Sequence, residues 1–204
     1  MNIFVIEQCP IISAMGLVDK HVTKMCVESA QLLSTAHRVL DGVETVGKSP
    51  TGRKKKEWKF NDVRDDILYS ATHINHPSAI WARRTNENYV WLYNHFVALG
   101  AEYTHRYGKQ HLSCIKLESI LRSPPSNMPV APITLMPSCM DDKYKVGDEP
   151  IENYRNYYTV GKASLHQWSN RLPPQWMQGE VVIIPRDDDD DDAEDSRIVY
   201  TIKR

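Results

Sequence analysis

A base, a cation and a carboxylate lie along one side of the first long helix that the sequence predicts. In the segment DKHVTKMCVESAQLLSTAH, helical spacing places His21, Lys24 and Glu28 in one stripe, next to an apolar stripe that includes Val22 and Met25. A carboxylate beside a basic group at the edge of a core acts as a general base or stabilises a cationic intermediate. The structural alternative is an intrahelical ion pair between Lys24 and Glu28, which contributes only about 0.2–0.5 kcal/mol.

The sequence shows no recognisable set of metal ligands. His73 and His76 form an HxxH pair, but no acid stands at a matching spacing, and zinc or iron needs three or four converging ligands. Phosphate-binding glycine loops and nucleophile elbows are absent as well. The four cysteines form no CxxC pair and are far apart in the chain: Cys9, Cys26, Cys114 and Cys139. We therefore expect no metal and no cofactor, and we expect His76 to cap the helix that begins at Pro77.

The charge of the chain is unevenly distributed. Asp187–Asp192, Glu194 and Asp195 hold eight of the acidic residues, and without them 18 acidic residues face 25 basic ones, a net charge of about +7. A basic body can hold a polyanion such as nucleic acid, although a solvated surface with an acidic loop has the same composition. A lysine cluster around an aromatic residue suits contacts with phosphates, while most such runs are solvated loops. This cluster comprises Lys54, Lys55, Lys56 and Trp58.

Helical patterns dominate the chain. Apolar spacing predicts long helices from about Leu17 to Leu40 and from about Thr85 to Gly108, where the glycine ends the helix. The opening MNIFVIEQ predicts a strand or an extended arm, and GEVVIIP and RIVYTIKR predict strands. The predicted fold is mainly α, a compact single-domain helical bundle with a small C-terminal β-hairpin appendage.

The domain organisation follows from these elements. We predict a helical domain at 1–176 with a mobile basic loop at 41–62, and a β-hairpin at 177–204 with a disordered acidic loop at 187–195. No apolar run approaches the roughly 20 residues of a membrane span, and no signal peptide is apparent. Together with the unpaired cysteines, this favours the cytoplasm and no membrane partner.

Several motifs, in the same order along residues 1–162, resemble the pyrimidine-dimer DNA glycosylase/AP-lyase family of the phage endonuclease V type. A D-x-H pattern is followed seven residues later by a glutamate, and an N-H-P stretch, an E-x-x-x-R pattern and an aromatic, basic C-terminal segment come after it. The residues that carry the resemblance are Asp19, His21, Glu28, Asn75, His76, Pro77, Arg83, Glu102, Arg106, Gly108, Tyr154, Arg155, Tyr157, Tyr158, Gly161 and Lys162.

This resemblance implies an enzyme that flips a nucleotide out of the DNA duplex and attacks the sugar C1′ with an N-terminal amine. Glu28 would support the imino intermediate and strand cleavage, and His21 would lie against the DNA backbone or orient Glu28. Met1 or Asn2 would supply the amine, since asparagine at position 2 usually blocks removal of the initiator methionine. An α-amine pKa of about 7.7–8.0 leaves an appreciable neutral fraction near pH 7.5.

The partner that the resemblance implies is DNA, as a duplex with one nucleotide extruded. The residues expected to contact it are Lys54, Lys55, Lys56, Trp58, His76, Arg83, Arg106, Tyr154, Arg155, Tyr157, Tyr158 and Lys162. Two alternatives stay open: a non-catalytic nucleic-acid-binding protein such as a phage protein, and a base- or nucleotide-modifying enzyme that uses His21, Lys24 and Glu28 without the amine. The oligomeric state is open too.

Overall fold

Two long helices form the centre of the fold. In a computed structural model that describes residues 1–48, 51–185 and 197–203, helix α2 spans Asp19–Asp41 and helix α5 spans Asn86–Tyr107. Gly108 ends α5 in the left-handed region (φ 66°), and its N–H donates to the carbonyl of Thr104. The mainly helical prediction and the position of this glycine stop are therefore confirmed.

Shorter helices pack around this pair. Their bounds are Pro10–Gly16 (α1), Arg64–Ile67 (α3), Pro77–Ala82 (α4), Leu112–Leu121 (α6) and Pro150–Asn156 (α7). Helix α7 continues into a π-helical turn at Tyr157–Gly161, and short 3₁₀ turns occupy Asp142–Tyr144 and Ala163–Leu165. Within the described ranges, no helix is both long enough and apolar enough to cross a bilayer.

The opening segment is an extended arm rather than a strand. Ile3, Phe4 and Ile6 are each at most 5 % exposed, so the arm runs through the core. Ser13 on α1 fixes it, because its hydroxyl donates to the Phe4 carbonyl and accepts from the Ile6 N–H. This anchoring carries the first residues of the chain to the side of α2.

Much of the basic segment forms two strands, so the prediction of a loop at 41–62 is wrong for Val43–Lys48 and Lys54–Lys59. Strands β1 (Val43–Lys48) and β2 (Lys54–Lys59) pair antiparallel, and we call them the basic ribbon. Trp58 is 8 % exposed, and Arg38 on α2 donates to its carbonyl at 2.7 Å. Backbone pairing and this anchor order a segment whose lysines, typical of exposed edge strands, suggested a loop.

The C-terminal strands belong to a three-stranded antiparallel sheet in the order β3–β5–β4. The strands are Trp168–Ser169 (β3), Glu180–Ile183 (β4) and Val199–Lys203 (β5). The fully buried Trp168 donates its indole N–H to the carbonyl of Gly16, so β3 ties this sheet to the helices. The predicted acidic loop at 187–195 lies outside the described residues.

Candidate functional site

The start of the chain lies against α2 at Glu28. The main-chain N–H of Asn2 donates to Oε2 of Glu28 at 2.9 Å, and the terminal nitrogen of Met1 lies 3.9 Å from the same oxygen. Lys24 places its Nζ 3.3 Å from the other carboxylate oxygen. The Glu28 side chain is 12 % exposed, whereas that of Lys24 is 65 % exposed. The structure therefore joins one half-buried carboxylate to two amines at the boundary between core and solvent.

The Asn2 side chain holds the chain start in place. Its Oδ1 accepts from the Tyr154 hydroxyl at 2.6 Å and from the Ile3 N–H at 2.8 Å, and its Nδ2 donates to the Cys139 carbonyl at 2.9 Å. Tyr154 is fully buried, and its hydroxyl also accepts from the Cys139 N–H at 3.1 Å. These contacts leave Asn2 little freedom. Because Met1 is bonded directly to Asn2, the same contacts limit the distance between the terminal amine and Glu28.

The exposed part of Met1 is its main chain. The Met1 side chain is only 2 % exposed, yet the residue as a whole is partly exposed. The thioether therefore packs into the core, and what Met1 exposes belongs to its main chain.

An open depression of 460 Å³ lies near the start of the chain. Its lining includes His76, Cys139 and Tyr157. Burial lowers the pKa of His76, and the positive charge of the terminal amine lowers it further, against the opposing charge of Glu28. The charges of the terminal amine and of Glu28 therefore both act on His76. The carbonyl of Cys139, which also lines the depression, accepts a hydrogen bond from Asn2. His76 also caps α4, accepting from the Ser78 N–H at 3.2 Å, which confirms its predicted capping role.

His21 is a buried structural residue, and the expectation that it lies against DNA is wrong. It is 5 % exposed, its ring stacks on Phe4 at 4.1 Å between centroids, and its Nδ1 bonds to the Tyr158 hydroxyl rather than to Glu28. Burial lowers the His21 pKa to about 3, with the charges of Lys162 and Lys24 adding to the effect. The ring is therefore neutral at physiological pH, and it positions Tyr158.

Three residues that we expected on the DNA surface lie in the core instead. Tyr154, Tyr158 and Arg106 are each fully buried, which excludes stacking on an extruded base or pairing with a phosphate in this conformation. Arg106 donates to Asp19 at 2.8 Å and to Glu102 at 2.7 Å, so its charge is neutralised inside the fold. The motifs give the types and the order of these residues, but they do not show whether each side chain faces the core or the surface.

Other expected contact residues are partly exposed. Lys162 places its ammonium 4.8 Å from the centre of the half-buried Tyr157 ring, which lines the depression. The Arg155 side chain is 27 % exposed and already pairs with Glu7 at 2.6 Å. Arg83 is part-buried, and its Nη1 has no hydrogen-bond partner in the described part of the chain.

The basic ribbon forms a second charged surface. Lys54, Lys55 and Lys56 are exposed, and Lys56 pairs with Glu44 at 2.7 Å, while Trp58 is buried beneath them. A cavity of 320 Å³ lies between the ribbon and the residues near Asp65. The ribbon meets α2 at Arg38, ten residues beyond Glu28, which corresponds to about 15 Å along the helix axis.

A group of possible metal ligands escaped the sequence prediction. Single ligand atoms of Cys26, His111 and Cys114 lie within 4.8 Å of one another. The available signal was the HxxC spacing at 111–114, which puts two ligands one helical turn apart. Its third member comes from a helix distant in the sequence, which no local pattern reveals.

Comparisons of the chain with protein-family models, with curated proteins and with solved structures found no match.

Proposed function

We propose that this protein is a DNA glycosylase/AP-lyase-like enzyme that acts on a damaged or modified base through an N-terminal amine and Glu28. The observation that carries the proposal is the placement of Glu28 Oε2, 3.9 Å from the Met1 nitrogen and 2.9 Å from that of Asn2. Either nitrogen meets the carboxylate, whichever residue is first in the mature chain. The proposal includes action in the cytoplasm, that of the host if the protein is phage-encoded.

The proposed chemistry uses the amine as nucleophile. The neutral nitrogen attacks C1′ of the extruded nucleotide, and the base leaves with the electron pair of the glycosidic bond and takes up a proton. Ring opening and loss of the amine proton give an iminium ion linked to the enzyme. Glu28 stabilises that cation at close range and accepts the C2′ proton, which expels the 3′ phosphate by β-elimination. Water then hydrolyses the iminium and frees the amine.

The geometry around the amine supports this assignment. The main chain of Met1 is partly exposed, and the depression lined by His76 and Tyr157 offers space near the chain start. The cationic Lys162 lies over the Tyr157 ring, where a phosphate would find a charge partner. Positive charge in the body of the chain attracts the polyanion over longer distances.

Base or nucleotide modification without the terminal amine is the second candidate. It is favoured by the exposed Lys24, whose Nζ lies 3.3 Å from Glu28 and presents a second amine to the same carboxylate. The buried, neutral His21 supplies no proton donor for such a reaction near pH 7.

The basic ribbon favours the other alternative, a non-catalytic nucleic-acid-binding protein.

Borohydride trapping tests the proposal. The full chain is incubated with a duplex that carries one abasic site, in the presence of sodium borohydride, and an undamaged duplex serves as the control. A covalent adduct with the abasic duplex alone is expected, because reduction fixes the iminium as a stable amine. Retained DNA binding without any adduct would reject the lyase and leave the two alternatives, base modification without the amine and non-catalytic binding. A folded chain that neither binds DNA nor forms an adduct would reject a function on DNA.

A further inference from the structure

Two helices bring two thiols and an imidazole together away from the amine site. Cys26 lies on α2, and Cys114 lies on α6 one turn after His111, the residue that caps this helix. One ligand atom of each falls within 4.8 Å of the others. Cys26 is fully buried, Cys114 is 7 % exposed and His111 is half-buried, so the group forms a nearly enclosed site with one side towards solvent.

The sulfur of Cys114 is held by close packing. A Cβ built on Gly100 of α5 would lie 2.7 Å from this sulfur, so the backbone of α5 approaches it more closely than any other residue type would allow. His111 caps α6 with an extended main chain (φ −78°, ψ 130°), and Cys114 lies in the first turn of this helix. Three helices therefore fix the direction of the ligands, which favours one defined geometry over a loose cluster.

We propose that Cys26, His111 and Cys114 bind one Zn²⁺ ion through two thiolates and one imidazole nitrogen. Tetrahedral zinc with Zn–S bonds of about 2.3 Å and Zn–N bonds of about 2.0–2.1 Å separates its ligand atoms by about 3.4–3.8 Å. The observed limit of 4.8 Å requires only small movements to reach this value. Softer thiolate ligands select Zn²⁺ over Mg²⁺ or Ca²⁺, and the fourth position is left to water.

Binding of Zn²⁺ requires the two thiols to lose their protons and disturbs one hydrogen bond of His111. Both thiols release a proton to the solvent when they bind. The Nδ1 of His111 accepts from the Ser113 N–H at 3.2 Å, so coordination through either ring nitrogen ends this bond or moves a proton into its place. The metal and the helix cap therefore compete for the same side chain, which suggests a variant that separates the two roles.

The ion would fasten α6 to α2, the helix that carries Glu28. Cys26 and Glu28 are two positions apart on this helix, about 200° around its axis, so the metal lies on the opposite side from the amine. Its role is thus to hold the scaffold, and the inference is independent of the glycosylase proposal.

Cobalt titration of the reduced full chain tests the site. Co²⁺ in a tetrahedral Cys₂His set gives thiolate-to-metal charge-transfer bands and intense visible bands, and we expect one equivalent to bind and Zn²⁺ to displace it. His111→Asn keeps a side-chain acceptor for the Ser113 N–H and removes the imidazole, so it should fold and bind at least about tenfold more weakly. The double variant Cys9→Ser/Cys139→Ser, outside the group, should bind like wild type.

Three results would overturn the proposal. One is a folded, fully reduced wild-type chain that gives no charge-transfer band with Co²⁺ and no rise in melting temperature with Zn²⁺. A second is unchanged affinity in His111→Asn, and the third is loss of binding in the Cys9→Ser/Cys139→Ser control. Cys114→Ser removes one of the two thiolates and should halve the charge-transfer absorption. If Cys114→Ser does not fold, the measurements on wild type and His111→Asn still test the proposal.

Discussion

Asn2 donates its main-chain N–H to Oε2 of Glu28 at 2.9 Å, across 26 residues of sequence. This bond places two successive backbone nitrogens beside one carboxylate, since the Met1 nitrogen lies 3.9 Å from the same oxygen. Removal of Met1 would turn the Asn2 nitrogen, 2.9 Å from Glu28 Oε2 in the intact chain, into the terminal amine. Under the proposed chemistry, either nitrogen is therefore a candidate nucleophile.

Replacing the carboxylate should stop chemistry while preserving the fold. Glu28→Gln keeps an oxygen acceptor for the Asn2 N–H but loses the negative charge that stabilises an iminium and accepts a proton. We expect the rate of strand cleavage to fall by about 10²–10⁴-fold, with little change in affinity for DNA. Single-turnover cleavage and fluorescence anisotropy measure the two quantities.

The control for this change is Glu87→Gln, a surface glutamate in the first turn of α5. It should leave both cleavage and binding near wild type. Unfolding of Glu28→Gln at room temperature would instead assign Glu28 a structural role.

Variants of two buried tyrosines distinguish an effect on the position of the amine from an effect on stability alone. Tyr154→Phe removes the hydroxyl that donates to Asn2, whereas Tyr158→Phe removes the hydroxyl that bonds to His21. Each change should cost about 1–3 kcal/mol of unfolding free energy, because each leaves buried polar partners unsatisfied. Only Tyr154→Phe should also slow borohydride trapping, by about tenfold at saturating DNA. Equal trapping rates in the two variants would remove Tyr154 from the positioning of the amine.

The basic ribbon should contribute to DNA affinity through charge. Lys54, Lys55 and Lys56 are exposed, and their joint replacement by Gln should lower the slope of log K against log salt by at most about 2.7. The pairing of Lys56 with Glu44 predicts a smaller change than this upper limit. Lys109→Gln/Lys203→Gln, at two exposed lysines outside the ribbon, is the control. Identical slopes in the triple variant and wild type would place the ribbon outside the interface.

Arg106 should matter for stability rather than for DNA. Arg106→Ala removes the fully buried cation that pairs with Asp19 and Glu102. Arg171 still pairs with Glu102, and Ser169 still donates to Asp19. We therefore expect a loss of about 3 kcal/mol of unfolding free energy, at the lower end of the range for a broken buried pair. Urea unfolding measures the loss, and DNA binding is compared at a temperature where the variant is folded. A stable Arg106→Ala protein that no longer binds DNA would contradict the buried position of this guanidinium.

Buried neutral histidines should make the fold sensitive to acid. Burial lowers the pKa of His95 to about 3, and the pKa values of His21 and His37 fall to about 3 and 4 for the same main reason. An unfolded histidine protonates near pH 6.5, so the unfolded state binds more protons between pH 6.5 and these lowered values. Stability is therefore complete above pH 6.5 and is lost as the pH falls through this window.

His95→Phe tests this pH dependence. Neither His95 ring nitrogen has a hydrogen-bond partner among the described residues, and the ring stacks on Trp91. Phenylalanine keeps an aromatic ring there and removes one titrating group. The slope of unfolding free energy against pH, between pH 5 and 6, should shrink by about 1.2 kcal/mol per unit. An unchanged slope would show that His95 is protonated, or accessible to protons, in the folded state.

Local patterns in the sequence predicted the two long helices and the start of α4. Apolar spacing located α2 and α5, and Gly108 and Pro77 marked a helix end and a helix start as observed. These features depend on residues close together in the chain, so they can be found without tertiary contacts. The basic ribbon was missed because its order depends on strand pairing and on the distant anchor between Arg38 and Trp58.

Side-chain direction limited the prediction of the site. The stripe of His21, Lys24 and Glu28 exists on α2, but the packing of Phe4 and Tyr158 turns His21 into the core while Lys24 stays exposed. Neighbours from other segments decide such orientations, as they also do for the meeting of Cys26 with Cys114. Helical spacing alone identifies which residues share a side of a helix and leaves their partners open.

The most direct test of the central claim is to locate the nitrogen that the trapped DNA is bound to. After borohydride reduction on an abasic duplex, nuclease and protease digestion followed by mass spectrometry identifies the modified peptide, and the intact mass shows whether Met1 is present. We expect the sugar remnant on the α-nitrogen of the first residue, Met1 or Asn2. A remnant on the side chain of Lys24, or no adduct with a folded protein that binds this duplex, would contradict the account.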